Sequence, residues 1–127
     1  SPTVRPAYSM TDRWWTPLHF AARYGDMAAL MLANDVNQAD NDGRTPAYIA
    51  AQEGHTAALG ILVAAGCDVN QATKDGMTPA HIAAWKGHAA ALEVLVEAGC
   101  DVNRAEKNGQ TPAYSAAHNG QTAALEL

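Results

Sequence analysis

The apolar positions of this chain fall into short blocks that recur in one register. Four times a Thr-Pro step opens a run of mostly small apolar residues: Thr16-Pro-Leu-His-Phe-Ala-Ala22, Thr45-Pro-Ala-Tyr-Ile-Ala-Ala51, Thr78-Pro-Ala-His-Ile-Ala-Ala84 and Thr111-Pro-Ala-Tyr-Ser-Ala-Ala117. A glycine follows three residues later each time, at Gly25, Gly54, Gly87 and Gly120, and an Ala-Ala-Leu step then ends at Leu30, Leu59, Leu92 and Leu125. Thr45, Thr78 and Thr111 lie 33 residues apart. A fixed period of this length is the signature of a repeat architecture.

Each block predicts a pair of short helices. Thr before Pro marks a helix start, because the hydroxyl accepts from an orphan N–H of the first turn and Pro at the first helical position loses no needed donor. In the second block this helix runs to about Gln52-Glu53, and Gly54 ends it by taking the left-handed conformation. A second helix over about Thr56 to Ala64 carries Leu59, Leu62 and Val63 on one side and stops at Gly66. Asp68-Val69-Asn70 then leads into an extended stretch with turns at Asn41-Asp42-Gly43, Lys74-Asp75-Gly76 and Lys107-Asn108-Gly109. Helices of about two turns are unstable alone. Stacking neighbouring pairs buries their apolar faces, and the alanines permit close approach.

The Thr-Pro-Leu-His opening, the 33-residue period, the Gly-His step and the Gly-x-Asp-Val-Asn exit resemble the ankyrin repeat family over residues 12–127. The resemblance implies an all-α solenoid of nearly four stacked helix-turn-helix units with β-hairpin-like loops. We expect an N-terminal extension over residues 1–11 and repeats at about 12–39, 40–72, 73–105 and 106–127, the first shortened and the last incomplete. Thr16 and Thr45 are only 29 residues apart, which places a loss of four residues, about one helical turn, at the end of the first repeat's second helix. Trp14 stands where Gly43, Gly76 and Gly109 stand, so no standard tip is expected there. Both features suit an atypical terminal repeat. The sequence lacks an initial Met, as expected of a cut or processed chain, and stops at Leu127, partway into the fourth repeat's second helix, as expected of a truncated chain or of an end that a partner covers.

Composition narrows the partners. Apolar residues make up 48% of the 127 but aromatics only 6%, and a core of small side chains, much of it alanine, points to close helix-on-helix packing. The formal charge of −5 argues against a nucleic-acid backbone as main partner and weakly against an anionic membrane surface. No apolar run approaches the roughly 20 residues that span a bilayer. The expected setting is intracellular, the cytoplasm first, and an organelle if a targeting segment has been removed.

Candidate chemistry is sparse. His19, Tyr48, His81 and Tyr114 share one repeat position. A histidine there could serve as a base, but Tyr replaces it twice, so the expected role is to bond the helix-start loop and the next repeat, as the resemblance implies. Cys67 and Cys100 are one repeat apart, a spacing of about 8–10 Å between packed helices against the roughly 7 Å a disulfide tolerates, so two free, mostly buried thiols are expected. No zinc-type spacing, phosphate loop or nucleophile elbow occurs. Asp40-Asn-Asp-Gly43 opens like a calcium loop, but Ile49 stands where the pattern needs Glu. Asn70 and Asn103 resemble the asparagines hydroxylated in ankyrin families; the expected role is a side-chain bond to loop backbone.

What varies between repeats marks the expected binding surface. The resemblance places partners along a concave side made by loop tips and first helices. The tips are Asp12, Arg13 and Trp15; Asn41, Asp42 and Arg44; Lys74, Asp75 and Met77; and Lys107, Asn108 and Gln110. The helix positions are Arg23-Tyr24, Gln52-Glu53, Trp85-Lys86 and His118-Asn119. Trp15, Tyr24, Met77 and Trp85 are expected to form an exposed apolar stripe flanked by Arg23, Arg44, Lys74 and Lys86, since aromatics and Met dominate interface cores. The alternative for Trp14 or Trp15 is to cover the end of the stack. The sequence thus reads as a non-catalytic module, without cofactor or metal, that binds a folded protein through its concave face. The alternatives are a structural subunit embedded in a larger complex and the interaction domain of a longer enzyme.

Overall fold

The computed structural model describes residues 15–26 and 35–118. The expectations for Trp14, the shortened second helix of the first repeat and the last helix after residue 118 lie outside these residues. Six helices are described: α1 Pro17–Tyr24, α2 Pro46–Glu53, α3 Thr56–Ala64, α4 Pro79–Lys86, α5 Ala89–Glu97 and α6 Pro112–His118. No β-strand occurs among the described residues.

The helix starts are set by the Thr-Pro step. Thr16, Thr45 and Thr78 are extended N-caps whose hydroxyls accept from the backbone N–H three residues on. Tyr114 N–H donates to Thr111 Oγ1 in the same way at 3.1 Å. The first helices then end on left-handed glycines. Gly54 is needed twice over. Its φ is 73°, which non-glycine residues adopt at a cost, and a Cβ there would lie 2.9 Å from the His88 ring.

The first helices form one row, with α1 packed on α2, α2 on α4 and α4 on α6. The second helices α3 and α5 pack on each other and on the first helix of their own repeat. Ala22, Ala50, Ala51, Ala83, Ala84 and Ala116 are fully buried along the row, and Ile49, Leu59, Leu62 and Leu95 fill the space between the layers. Burying each of these larger side chains stabilises the fold by about 1.5–3 kcal/mol. Val63 is only half-buried, so the inward side of α3 is Ala58, Leu59 and Leu62.

Polar bridges tie the repeats together at both ends of the helix layers. His55 and His88, the N-caps of α3 and α5, do not cap their own helices; each donates from Nε2 to a carbonyl of the preceding repeat, Arg23 O at 2.8 Å and Gln52 O at 3.1 Å. At the other end, in the loops that lead from the second helices into the tips, Asn37 Oδ1 accepts from Asp68 N–H at 2.8 Å and Asn70 Oδ1 from Asp101 N–H at 2.9 Å. The expected loop bond of Asn70 is therefore a bond between repeats. Asn103 N–H donates to Asp101 Oδ1 at 3.0 Å. Among the described residues no buried side-chain nitrogen or oxygen lacks a partner.

Candidate interaction surface

The tips stand on one recurrent device. A side-chain oxygen at the base of each loop accepts two backbone N–H groups of that loop. Asp40 Oδ1 accepts from Asp42 at 2.9 Å and Arg44 at 2.8 Å. Thr73 Oγ1 accepts from Asp75 at 3.3 Å and Met77 at 3.2 Å, and Glu106 Oε1 from Asn108 at 2.7 Å and Gln110 at 3.0 Å. Successive tips are also laced together, Lys74 N–H to Asp42 O at 3.1 Å and Lys107 N–H to Asp75 O at 3.0 Å. With the loop backbone so occupied, side chains at the tips are not needed to hold the loop. Sequence reasoning missed these three bases, because Asp, Thr and Glu at one register do not look like one motif.

The histidines are structural. His19 Nδ1 accepts the Thr16 N–H at 3.0 Å, so Nε2 carries the proton and donates to Arg44 O in the next repeat at 2.8 Å. His81 repeats this with Thr78 N–H at 3.0 Å and Gln110 O at 3.0 Å. Burial lowers the His19 pKa to about 4, with the Asp40 charge opposing, and burial likewise lowers that of His81. An imidazole whose two nitrogens are both engaged and whose neutral form is favoured is a fixed bracket between repeats. Cys67 and Cys100 are free thiols as expected, and half-buried where mostly buried thiols were expected. Burial first, then Asp68, raises the Cys67 pKa to about 11. Among the described residues no group of three or more metal-ligating side chains comes together, and no helix is long and apolar enough to cross a membrane.

The candidate binding residues divide sharply. Arg13 lies outside the described residues, and His118 ends α6 with its side chain also outside them. Trp15 is not an exposed member of a stripe. Its Nε1 donates to Asp40 Oδ2 at 2.8 Å, and its ring stacks on His19 and meets Phe20 edge-on, so it covers the first helix. Arg44 is not a free flanking cation. Asp40 holds its Nε at 3.1 Å and Asp42 its Nη2 at 2.9 Å. Met77 is half-buried against the core. Tyr24 and Trp85 are exposed, at 58% and 46%.

Two groupings of candidate residues remain. At the helix ends Arg23 lies 5.7 Å from the Tyr24 ring centroid and 3.4 Å from Glu53, whose carboxylate also accepts from Gln52 Nε2 at 3.3 Å. Between the third and fourth repeats Met77, Trp85, Asn108 and Gln110, from tips and first helices alike, line one open cavity of about 350 Å³. Ile82, Glu106 and Ser115, which the sequence reading had not assigned to the surface, complete its wall. Lys74, Lys86 and Lys107 are exposed, with Lys107 3.1 Å from Asp75.

No curated protein matches the chain. The family model described as ankyrin repeats in three copies matches it twice, over residues 5–73 and 58–127. Those matches span nearly the whole sequence: the chain belongs to the ankyrin repeat family.

Proposed function

We propose that this ankyrin domain is a non-catalytic module that binds a folded protein through the concave side built by its tips and first helices. Ankyrin repeats are in general protein–protein interaction modules. The observation that carries the finer reading is the cavity between the third and fourth repeats, where the half-exposed Trp85 and the side chains of two successive tips converge on open space. Large aromatic side chains at such positions dominate binding energy at protein interfaces. The engagement of His19 and His81 on both nitrogens supports a role without chemistry. The binding set proposed is Trp85, Met77, Asn108, Gln110, Tyr24 and Arg23, with Gln52, Glu53, Lys74, Asp75, Lys86 and Lys107 around them.

Photo-crosslinking in extract of the native source tests this. A benzoylphenylalanine at position 24 or 85 should capture a protein, and one at exposed Glu93 or Val96 on α5 should not. Trp85→Ala should weaken that capture by about fivefold or more while the helical spectrum stays unchanged. Capture from α5 and not from positions 24 and 85 would place the binding surface on the second helices and refute the proposal.

A further inference from the structure

The cavity beside Trp85 lies where the fourth repeat departs from the residue type of the other three. Phe20, Ile49 and Ile82 occupy equivalent first-helix positions and are buried; the fourth repeat has Ser115 there, 3% exposed. The change from a branched apolar side chain to a hydroxymethyl group withdraws several carbons from the wall between α4 and α6, and the space opens at that point.

We propose that this space receives one arginine side chain of the partner protein, an inference that rests on the reading of this face as the binding surface. The walls supply the parts of an arginine site. Met77 and Ile82 offer apolar contact for the three-carbon stem. Trp85 offers an indole, the best partner for a guanidinium face. Glu106 is the one ionisable group in the wall, and it is an acid. Its Oε1 already accepts from Asn108 and Gln110 N–H, so the carboxylate is held in place before any ligand arrives.

Asn108 and Gln110 add neutral polar side chains suited to the five N–H donors of a guanidinium. The nearby cations do not line the wall: Lys74, Lys86, Lys107 and Arg104 are absent from it, Lys107 is paired with Asp75, and Arg104 donates to Asn70 O at 2.7 Å. The net charge of −5 favours approach of a basic segment. A purely apolar guest would desolvate Glu106 without pairing it, which is costly. Lysine would meet the carboxylate but lacks the flat, weakly hydrated face that stacks on an indole.

The test is an NMR titration of the full chain, following the Trp85 indole N–H. The probes are N-acetyl-arginine amide, its uncharged isostere N-acetyl-citrulline amide, and N-acetyl-leucine amide. Arginine amide should give a saturable shift with an affinity about tenfold above citrulline and leucine amides. Glu106→Gln keeps the Oε1 acceptor for the loop and should bring arginine down to the citrulline level. Ser115→Ile, which restores the residue of the second and third repeats, should abolish the shift while leaving the fold intact. Equal shifts from leucine or citrulline amide, no saturable shift from any probe, or undiminished arginine binding in Glu106→Gln would each overturn the proposal. The photo-crosslinking result is independent of these outcomes, so loss of the arginine site and loss of the binding-face reading are separately visible.

Discussion

Asp40→Ala tests whether the loop-base acceptors hold the tips. The Asp40 side chain is fully buried and its carboxylate accepts four bonds. Two come from loop backbone, Asp42 N–H at 2.9 Å and Arg44 N–H at 2.8 Å. Two come from side chains, Arg44 Nε at 3.1 Å and Trp15 Nε1 at 2.8 Å, the latter crossing from the first repeat to the second. A bond to a charged acceptor contributes about 1.5–3 kcal/mol, and removing one partner of a buried ion pair costs about 3–5 kcal/mol, but the four bonds share one carboxylate and do not add. Arg44 also keeps Asp42 at 2.9 Å. The expected loss is therefore about 3 kcal/mol.

Asp40→Thr separates the contributions. Thr73 shows that a hydroxyl at this register satisfies both loop N–H groups. The variant should keep those bonds, lose the ties to Arg44 and Trp15, and cost about half as much, or about 1.5 kcal/mol. Urea unfolding followed by far-ultraviolet circular dichroism gives both values from the shift in midpoint at constant slope. The reasoning fails if Asp40→Thr is as damaging as Asp40→Ala, because the backbone acceptor would then carry none of the stabilisation. It fails equally if Asp40→Ala costs less than about 1 kcal/mol.

Three further outcomes follow from the same geometry. The unfolded chain takes up histidine protons near pH 6.5, whereas burial delays protonation of His19 in the fold until about pH 4. The stabilisation by neutral His19 is thus complete above pH 6.5 and falls by about 3 kcal/mol as the pH drops towards 4. Urea midpoints measured across this window should decline, and His19→Tyr, the residue type at position 48, should flatten the decline; a slope unchanged by the substitution would refute the assignment. Gly54→Ala should destabilise by more than about 1 kcal/mol, given its φ of 73° and the His88 ring 2.9 Å from the new Cβ, whereas Gly60→Ala within α3, where a Cβ meets nothing within 4 Å, should stabilise by about 0.5–1 kcal/mol. Thermal melts of the pair must move in opposite directions. Cys67, with its thiol pushed up to about 11, should react with iodoacetamide at neutral pH far more slowly in the folded chain than in urea, and equal rates would contradict its burial.

Helix boundaries were legible in the sequence because they depend on neighbours a few residues away. Thr45 caps Tyr48, Gly54 stops α2, and the expected span Thr56 to Ala64 is the observed α3. The same is true of the recurring alanines, which marked the close approach of neighbouring repeats and are buried along the row. What the sequence hid was decided at long range. Trp15 is drawn inward by a carboxylate 25 residues away, and Arg44 is neutralised by that same group. The bridges from His55 to Arg23 and from His88 to Gln52 span 32 and 36 residues. The cavity was hidden differently. Ser115 was visible as a departure from Phe20, Ile49 and Ile82, but its consequence depends on Glu106 and Trp85 standing around the vacated volume.

These two kinds of departure explain how a repetitive scaffold acquires a particular surface. At the loop base the residue type varies while the bonding role does not: Asp40, Thr73 and Glu106 each present an oxygen to the same two N–H groups. Identity there is free to change because a short hydroxyl and a longer carboxylate both reach the loop. The choice of Glu106 then costs the fold little and leaves a carboxylate at the edge of the groove. At the first-helix position the role itself is surrendered, since Ser115 cannot fill the space an isoleucine fills. Lost packing of a large side chain costs about 2–5 kcal/mol in a closed core, but here the space opens to solvent, where much of that cost is recovered by water. A gap in the regular packing is therefore tolerable only where it faces the groove, and it is there that Met77, Trp85 and Glu106 converge on it. Ser115→Ile should accordingly raise the unfolding midpoint while removing the cavity; a lower midpoint would mean that Ser115 holds the helix row together and that the hollow is incidental.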